Sequence, residues 1–207
     1  MSRLRGQPPG RAGLMWLRHR LGLAHRAASR LDQKLQILRT EQAAFGLLLE
    51  RSGRAWTEAI GEAEEWLLRA ALLGGQEGLR PPDGQPPAEV SITWTNALGT
   101  TYPSRGSCTT PTPDPRTATV SPAALVEATA AYRRALEAAV EQAVVSAASR
   151  AIDAEVTMTR QRLRGVQDRW VPRLEGALAE LRLSLDETEL AEHVRLRWSA
   201  DRERVAR

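Results

Sequence analysis

Residues 14–38 read LMWLRHRLGLAHRAASRLDQKLQIL, and the spacing of their apolar side chains decides the fold. Leu14, Leu17, Leu21, Ala24, Ala28, Leu31, Leu35 and Leu38 recur at alternating steps of three and four. A helix with that period presents one continuous apolar seam, which a second helix must cover. The same steps continue through Gln42, Phe45, Leu49, Ser52, Trp56, Ala59, Ala63, Trp66, Ala70 and Leu73, and only Gln42 and Ser52 are polar. No proline interrupts the stretch between Gly10 and Leu79. A helix of about 60 residues, at 1.5 Å per residue, runs about 90 Å. A typical globular helix has about 11–12 residues, so the length is itself a functional clue. Trp56 and Trp66 fall on the seam and are expected in the core, as is Trp170 further on.

The C-terminal half carries the covering helix. Ser121 and Pro122 suit the cap and first position of a helix. A seam then runs through Ile152, Val156, Thr159, Leu163, Val166, Trp170, Leu174, Ala177, Leu181 and Leu185. Two consecutive steps of four meet at Trp170, a stutter that unwinds a coiled coil locally. Pro172 lies inside it, where a proline removes a backbone hydrogen bond and clashes with the preceding turn. A bend is expected there. If the two helices run at equal rise from the chain ends, Trp16 lies level with Trp198 and Phe45 lies opposite Trp170. Gln42 then falls beside the Pro172 bend.

Between the helices the character changes. Nine of the twelve prolines fall from Pro81 to Pro122. GGQEGLRPPDGQPP (74–87) reads as a helix stop and a turn-rich link. Val90, Ile92 and Trp94 alternate like a strand, and Asn96 to Gly99 is a turn candidate, so a short β-hairpin is expected. SRGSCTTPTPDPRTAT (104–119) reads as a loop. The fold class is therefore all-α, a long antiparallel two-helix coiled coil with a small β-hairpin insert. Its expected parts are a basic tail (1–12), an N-terminal helix (13–74), a proline-rich insert (75–121), a C-terminal helix (122–200) and a tail (201–207).

Composition excludes several functions. The single Cys108 rules out an intramolecular disulfide and a cysteine metal cage. No apolar run approaches the roughly 18 residues that span a bilayer, and no secretory signal is read at the N-terminus. GxxxxGK[ST], GxGxxG and HExxH are absent. His19, His25 and His193 read as surface residues near helix ends. Acid pairs such as Glu64/Glu65 and Asp186/Glu187 read as solvated helix faces. No catalytic residue, cofactor or metal is expected. Charge is uneven: residues 1–31 hold seven arginines and no acid, and Arg195, Arg197, Arg202, Arg204 and Arg207 crowd the other end. Such ends are either a solvated arginine-biased surface or a contact for nucleic acid, anionic lipid or an acidic protein.

The ends also carry a resemblance. PGRAGLMWLRHRLGLAHRAASRLDQKLQIL (9–38) resembles the opening helix of the D subunit of the vacuolar/archaeal-type (V/A-type) rotary ATPases through Pro9, Arg11, Leu14, Leu17, Leu21, Leu23, Ala24, Leu31 and Lys34. VPRLEGALAELRLSLDETELAEHVRLR (171–197) is similar to that family's closing helix through Pro172, Arg173, Leu174, Glu175, Leu185, Asp186, Glu187, Glu189, Glu192, Arg195 and Leu196. Asn96, Gly99 and Pro103 match its middle segment. Just before the proline the chain has RLRGVQ (162–167), where the family reads close to RVNALE.

The resemblance implies a non-catalytic central-stalk rotor shaft, a part of the ATP synthesis and ion transport machinery. Such a shaft transmits torque between the catalytic hexamer and hydrogen-ion or sodium-ion movement in the membrane rotor. Its implied partners are the catalytic and nucleotide-binding subunits of the hexamer, the small F subunit of the stalk and a membrane-rotor linker subunit. No nucleic acid and no direct membrane insertion are implied, and the location is cytoplasmic, peripheral to the membrane. Arg11, Arg18, Arg20, Pro172, Arg195 and Arg197 are the expected subunit contacts. The alternative is a free-standing coiled-coil adaptor that binds anionic membrane or nucleic acid through its arginine-rich ends.

Overall fold

The computed structural model describes residues 6–74, 87–111 and 123–205. The Ser121/Pro122 cap, nearly all of the 74–87 link and most of the Thr/Pro-rich 109–119 stretch lie outside those residues. The elements run helix α1 (Gly10–Gly74), strands β1 (Glu89–Ala97) and β2 (Thr100–Thr109), helix α2 (Ala123–Arg164), a π-helical turn (Gly165–Trp170) and helix α3 (Val171–Val205). The all-helical hairpin with a small antiparallel strand pair is thus the observed fold. The chain divides into two compact units, one taking in residues up to Leu35 and from Met158 onward, the other Gln36–Thr157.

In the central unit α1 and α2 run antiparallel. Ala70 packs with Ala124 and Ala128, and Ala63 with Ala131 and Ala135. Methyl against methyl lets two helices approach closely, but each such side chain buries little area. A leucine contributes about 1.5–3 kcal/mol on full burial and a single methylene about 0.8. Polar contacts therefore fix the alignment that smooth alanine faces leave open. Arg134 Nη2 meets Glu62 Oε1 at 2.7 Å. Ser52 Oγ donates to Gln142 Oε1, with Ser52 itself buried. Gln42 Nε2 donates to Asp153 Oδ1 at 2.7 Å.

This register corrects the equal-rise expectation. Gln42 is bonded to Asp153, nineteen residues before Pro172, and Phe45 packs edge-on against Tyr102 of the hairpin with ring centroids 5.5 Å apart. Two helices of unequal length do not pair end to end, and apolar period alone says nothing about offset.

The β-hairpin turns through Leu98 and Gly99, both at positive φ (54° and 83°). Asn96 is not in the turn but in the ladder opposite Thr101, donating through Nδ2 to its Oγ1 at 3.1 Å. The pairing slips at Thr93/Trp94, where Trp94 faces Pro103. Proline cannot donate to a ladder and is found at such bulges. Ser104, the extra residue, donates through Oγ to the Thr93 carbonyl at 3.1 Å. Residues 104–109, expected as loop, complete β2 instead. Gly106 brings the hairpin onto α2: a Cβ there would lie 2.7 Å from Val140 Cγ1 and 2.8 Å from Val144 Cγ2.

In the other unit Leu17, Leu174 and Leu178 form a buried cluster, flanked by Leu14, Trp16, Leu21, Ala24, Ala177 and Leu181. Trp170, expected in the core, is 55% exposed, and no residue of the π turn is buried. Trp56 is also exposed rather than core. Trp66, the other seam tryptophan, is half-buried against the two alanine clusters.

Candidate subunit-interaction surface

The π turn explains how the helix keeps its proline. In an α-helix the Pro172 ring would meet the carbonyl of Asp168 and leave it without a donor. Here the Val171 N–H bonds to the Val166 carbonyl, five residues back. The widened turn takes up one extra residue, makes room for the ring and rotates Trp170 out of the seam. Both flanks keep ordinary helical dihedrals, at Arg164 (φ −58°, ψ −43°) and Val171 (φ −60°, ψ −54°). Such turns are frequent at functional sites.

Toward the end of this unit the two helices part company. Gly13 lies against Leu181, whose Cδ2 would be 3.2 Å from a Cβ at that position. Two residues earlier on α1, Arg11 Nη2 donates to Glu189 Oε1 at 2.8 Å. That hydrogen bond, and then the carboxylate's charge, hold the Arg11 guanidinium above its ordinary range. The pair is exposed and screened by water, so it orients the helix start rather than stabilising it strongly. Since α1 begins at Gly10, α3 continues beyond Glu189 with no facing residue of α1 left to cover it. Leu190, Val194 and Trp198 follow at steps of four and, with Ala191 and Arg195, line a shallow open groove. Trp198 is 72% exposed.

The expected contact residues separate into two groups. Arg11, Arg195 and Arg197 belong to the end of the unit, Arg195 in the groove wall and Arg197 exposed on another face of α3. Arg18 and Arg20 lie just past Leu17, at the level of Leu174 and Leu178, hence near Pro172. The Arg20 guanidinium stacks 4.9 Å from the Trp16 ring centre, and Arg18 and Pro172 are exposed. Two features escaped the sequence reading. The 190/194/198 stripe was legible as a four-step repeat, but it falls past Leu185, where the paired seam ends. The outward Trp170 was signalled only by the double step of four beside a proline. His19, His25 and His193 are exposed, and no group of three or more His, Cys, Asp or Glu positioned to hold a metal occurs among the described residues.

The described residues form a long helical hairpin with an exposed apolar helix end and clustered arginines. The chain belongs to the ATP synthase D-subunit family: the family's model matches residues 13–201. No curated protein matches it. It is accordingly a subunit of the stalk of a rotary ATPase, in a family that is generally non-catalytic. Among the described residues, no helix is long and apolar enough to cross a membrane.

Proposed function

We propose that the chain is the central-stalk rotor shaft of a V/A-type ATPase. It transmits torque between ATP hydrolysis or synthesis in the catalytic hexamer and ion translocation in the membrane rotor. The observation that carries this reading is the end of α3, where Leu190, Val194, Arg195 and Trp198 stand exposed and, among the described residues, uncovered by α1. Within a family of stalk subunits, an apolar and basic helix end of this kind suits insertion into a ring of other subunits. Arg11, Arg195 and Arg197 would meet that ring at the end, and Arg18, Arg20 and Pro172 further along. The partners are the catalytic and nucleotide-binding subunits, the small F subunit and the linker to the membrane rotor. The working location is the cytoplasmic face of the membrane.

The test is reconstitution. The catalytic hexamer prepared without this chain should bind it in a fixed ratio of one shaft per ring, and ATP should then drive rotation of a bead attached to the shaft. The pure chain should hydrolyse no ATP. Hydrolysis by the pure chain that disappears on mutating its own residues would overturn the proposal, as would assembly without rotation.

A further inference from the structure

We propose that the π turn and the arginines around it form a second docking site, which takes an acidic segment of a neighbouring protein subunit with the Trp170 indole as its apolar anchor. The neighbour is taken from the stalk reading above, but the site is separate from the helix end on which that reading rests.

The first observation is the indole. Trp170 is the last residue of a six-residue turn with nothing buried, and it is 55% exposed. Pro172 imposes the turn, so the outward position is built into the backbone. A large exposed apolar side chain held in one place is the usual anchor of an interface, and Trp and Arg are the residues most enriched at such anchors.

The second observation is charge. Arg160, Arg162, Arg164, Arg169 and Arg173 are all exposed within fourteen residues, where Asp168 is the only acid. Helix α1 of the same unit adds exposed Arg18, Arg20, Arg26 and Arg30, and residues 10–31 contain no acid. Among the described residues none of these nine arginines pairs with a carboxylate. Crowded like charges repel one another, and a carboxylate-rich partner relieves that repulsion. Arg169 and Arg173 flank Trp170 on either side, one residue before and three after. Their planar guanidinium groups can each grip a carboxylate through two parallel hydrogen bonds. The complementary surface is therefore acidic around an apolar slot.

The experiment measures binding of the full chain to the catalytic hexamer lacking it, with Trp170→Ala and the double variant Arg169→Glu/Arg173→Glu. All three positions are exposed, so helicity measured by circular dichroism should be unchanged. Each variant should lose at least tenfold in affinity at low salt, and the double variant's deficit should shrink as salt rises. A labelled peptide of alternating Asp and Glu should bind the free chain and lose binding in the same variants, which tests the site without the ring. Wild-type affinity in both variants overturns this inference alone, and a charge-reversal deficit that ignores salt overturns its electrostatic basis. Failure of the unaltered chain to bind the ring at all overturns the stalk reading instead. Tight binding to a single-stranded RNA oligonucleotide, lost in these variants while ring affinity holds, would assign the site to nucleic acid.

Discussion

Leu98 adopts φ 54° beside Gly99 at φ 83° in the two-residue turn of the hairpin. Turns with both central residues at positive φ favour Asn-Gly, because Cβ crowds the following carbonyl there, at roughly 1–2 kcal/mol, and the short Asn amide offsets this with local hydrogen bonds. Leu98→Asn should therefore stabilise the hairpin by about 0.5–1 kcal/mol, seen as slower hydrogen exchange of the β1 and β2 amides. Unchanged or faster exchange would mean that the contacts of the Leu98 side chain outweigh its backbone strain. Gly106 poses the opposite case. Its missing side chain is what lets β2 lie on Val140 and Val144 of α2. Gly106→Val should cost about 1–3 kcal/mol by overpacking and separate Tyr102 from Phe45, readable in a urea titration and in tyrosine emission. A variant as stable as the parent would show that the hairpin can shift without cost.

The π turn is the element on which the return helix depends. Replacing Pro172 with Ala restores a backbone donor and removes the ring, so the segment 165–170 is free to close as ordinary α-helix. Pro172→Ala should leave the isolated chain as stable as before or more so, since proline in a helix interior costs about 3 kcal/mol relative to alanine. Trp170 should rotate toward the seam, and its fluorescence should shift to shorter wavelength. In the assembled complex, coupling of ATP turnover to rotation should fall. Loss of stability with no spectral change would show that the π turn has another cause. The N-terminal helix was legible because its leucines stand out against polar neighbours: Leu17, Ala28, Leu35, Leu38, Ala63 and Ala70 of the heptad are all buried. The buried face at the start of α2 was not, because alanine occurs around its whole circumference and a periodic Ala124, Ala128, Ala131 and Ala135 has no contrast. Register was invisible for a related reason. It is held by Gln42 with Asp153 and Ser52 with Gln142, pairs that no apolar repeat announces. The candidate contacts were legible as charge, while the groove at Trp198 needed knowledge of where α1 stops.

At the scale of the molecule, Arg18→Glu/Arg20→Glu should weaken docking to the hexamer more at low than at high ionic strength, because exposed charges are screened over about 10 Å at 0.1 M salt. Equal affinity at low salt would mark both arginines as solvated surface. The antiparallel pairing also sets a sequence of events in time. Arg134 and Glu62 are separated by 72 residues of chain, Ser52 and Gln142 by 90, Gln42 and Asp153 by 111, and Arg11 and Glu189 by 178. Each contact once made shortens the effective loop that the next must close, so the hairpin should zip from its connection outward. Pulse-labelled amides around Ala63 and Ala131 should gain protection before those around Leu17 and Leu174. On the ribosome the cost of this order falls on α1. Its leucine seam emerges first and has nothing to pair with until residues 75–122 have been made and α2 begins to follow. Through that interval the nascent chain offers a long apolar stripe to water, and a holding chaperone or a neighbouring nascent copy is the competitor that its own second half must outrun.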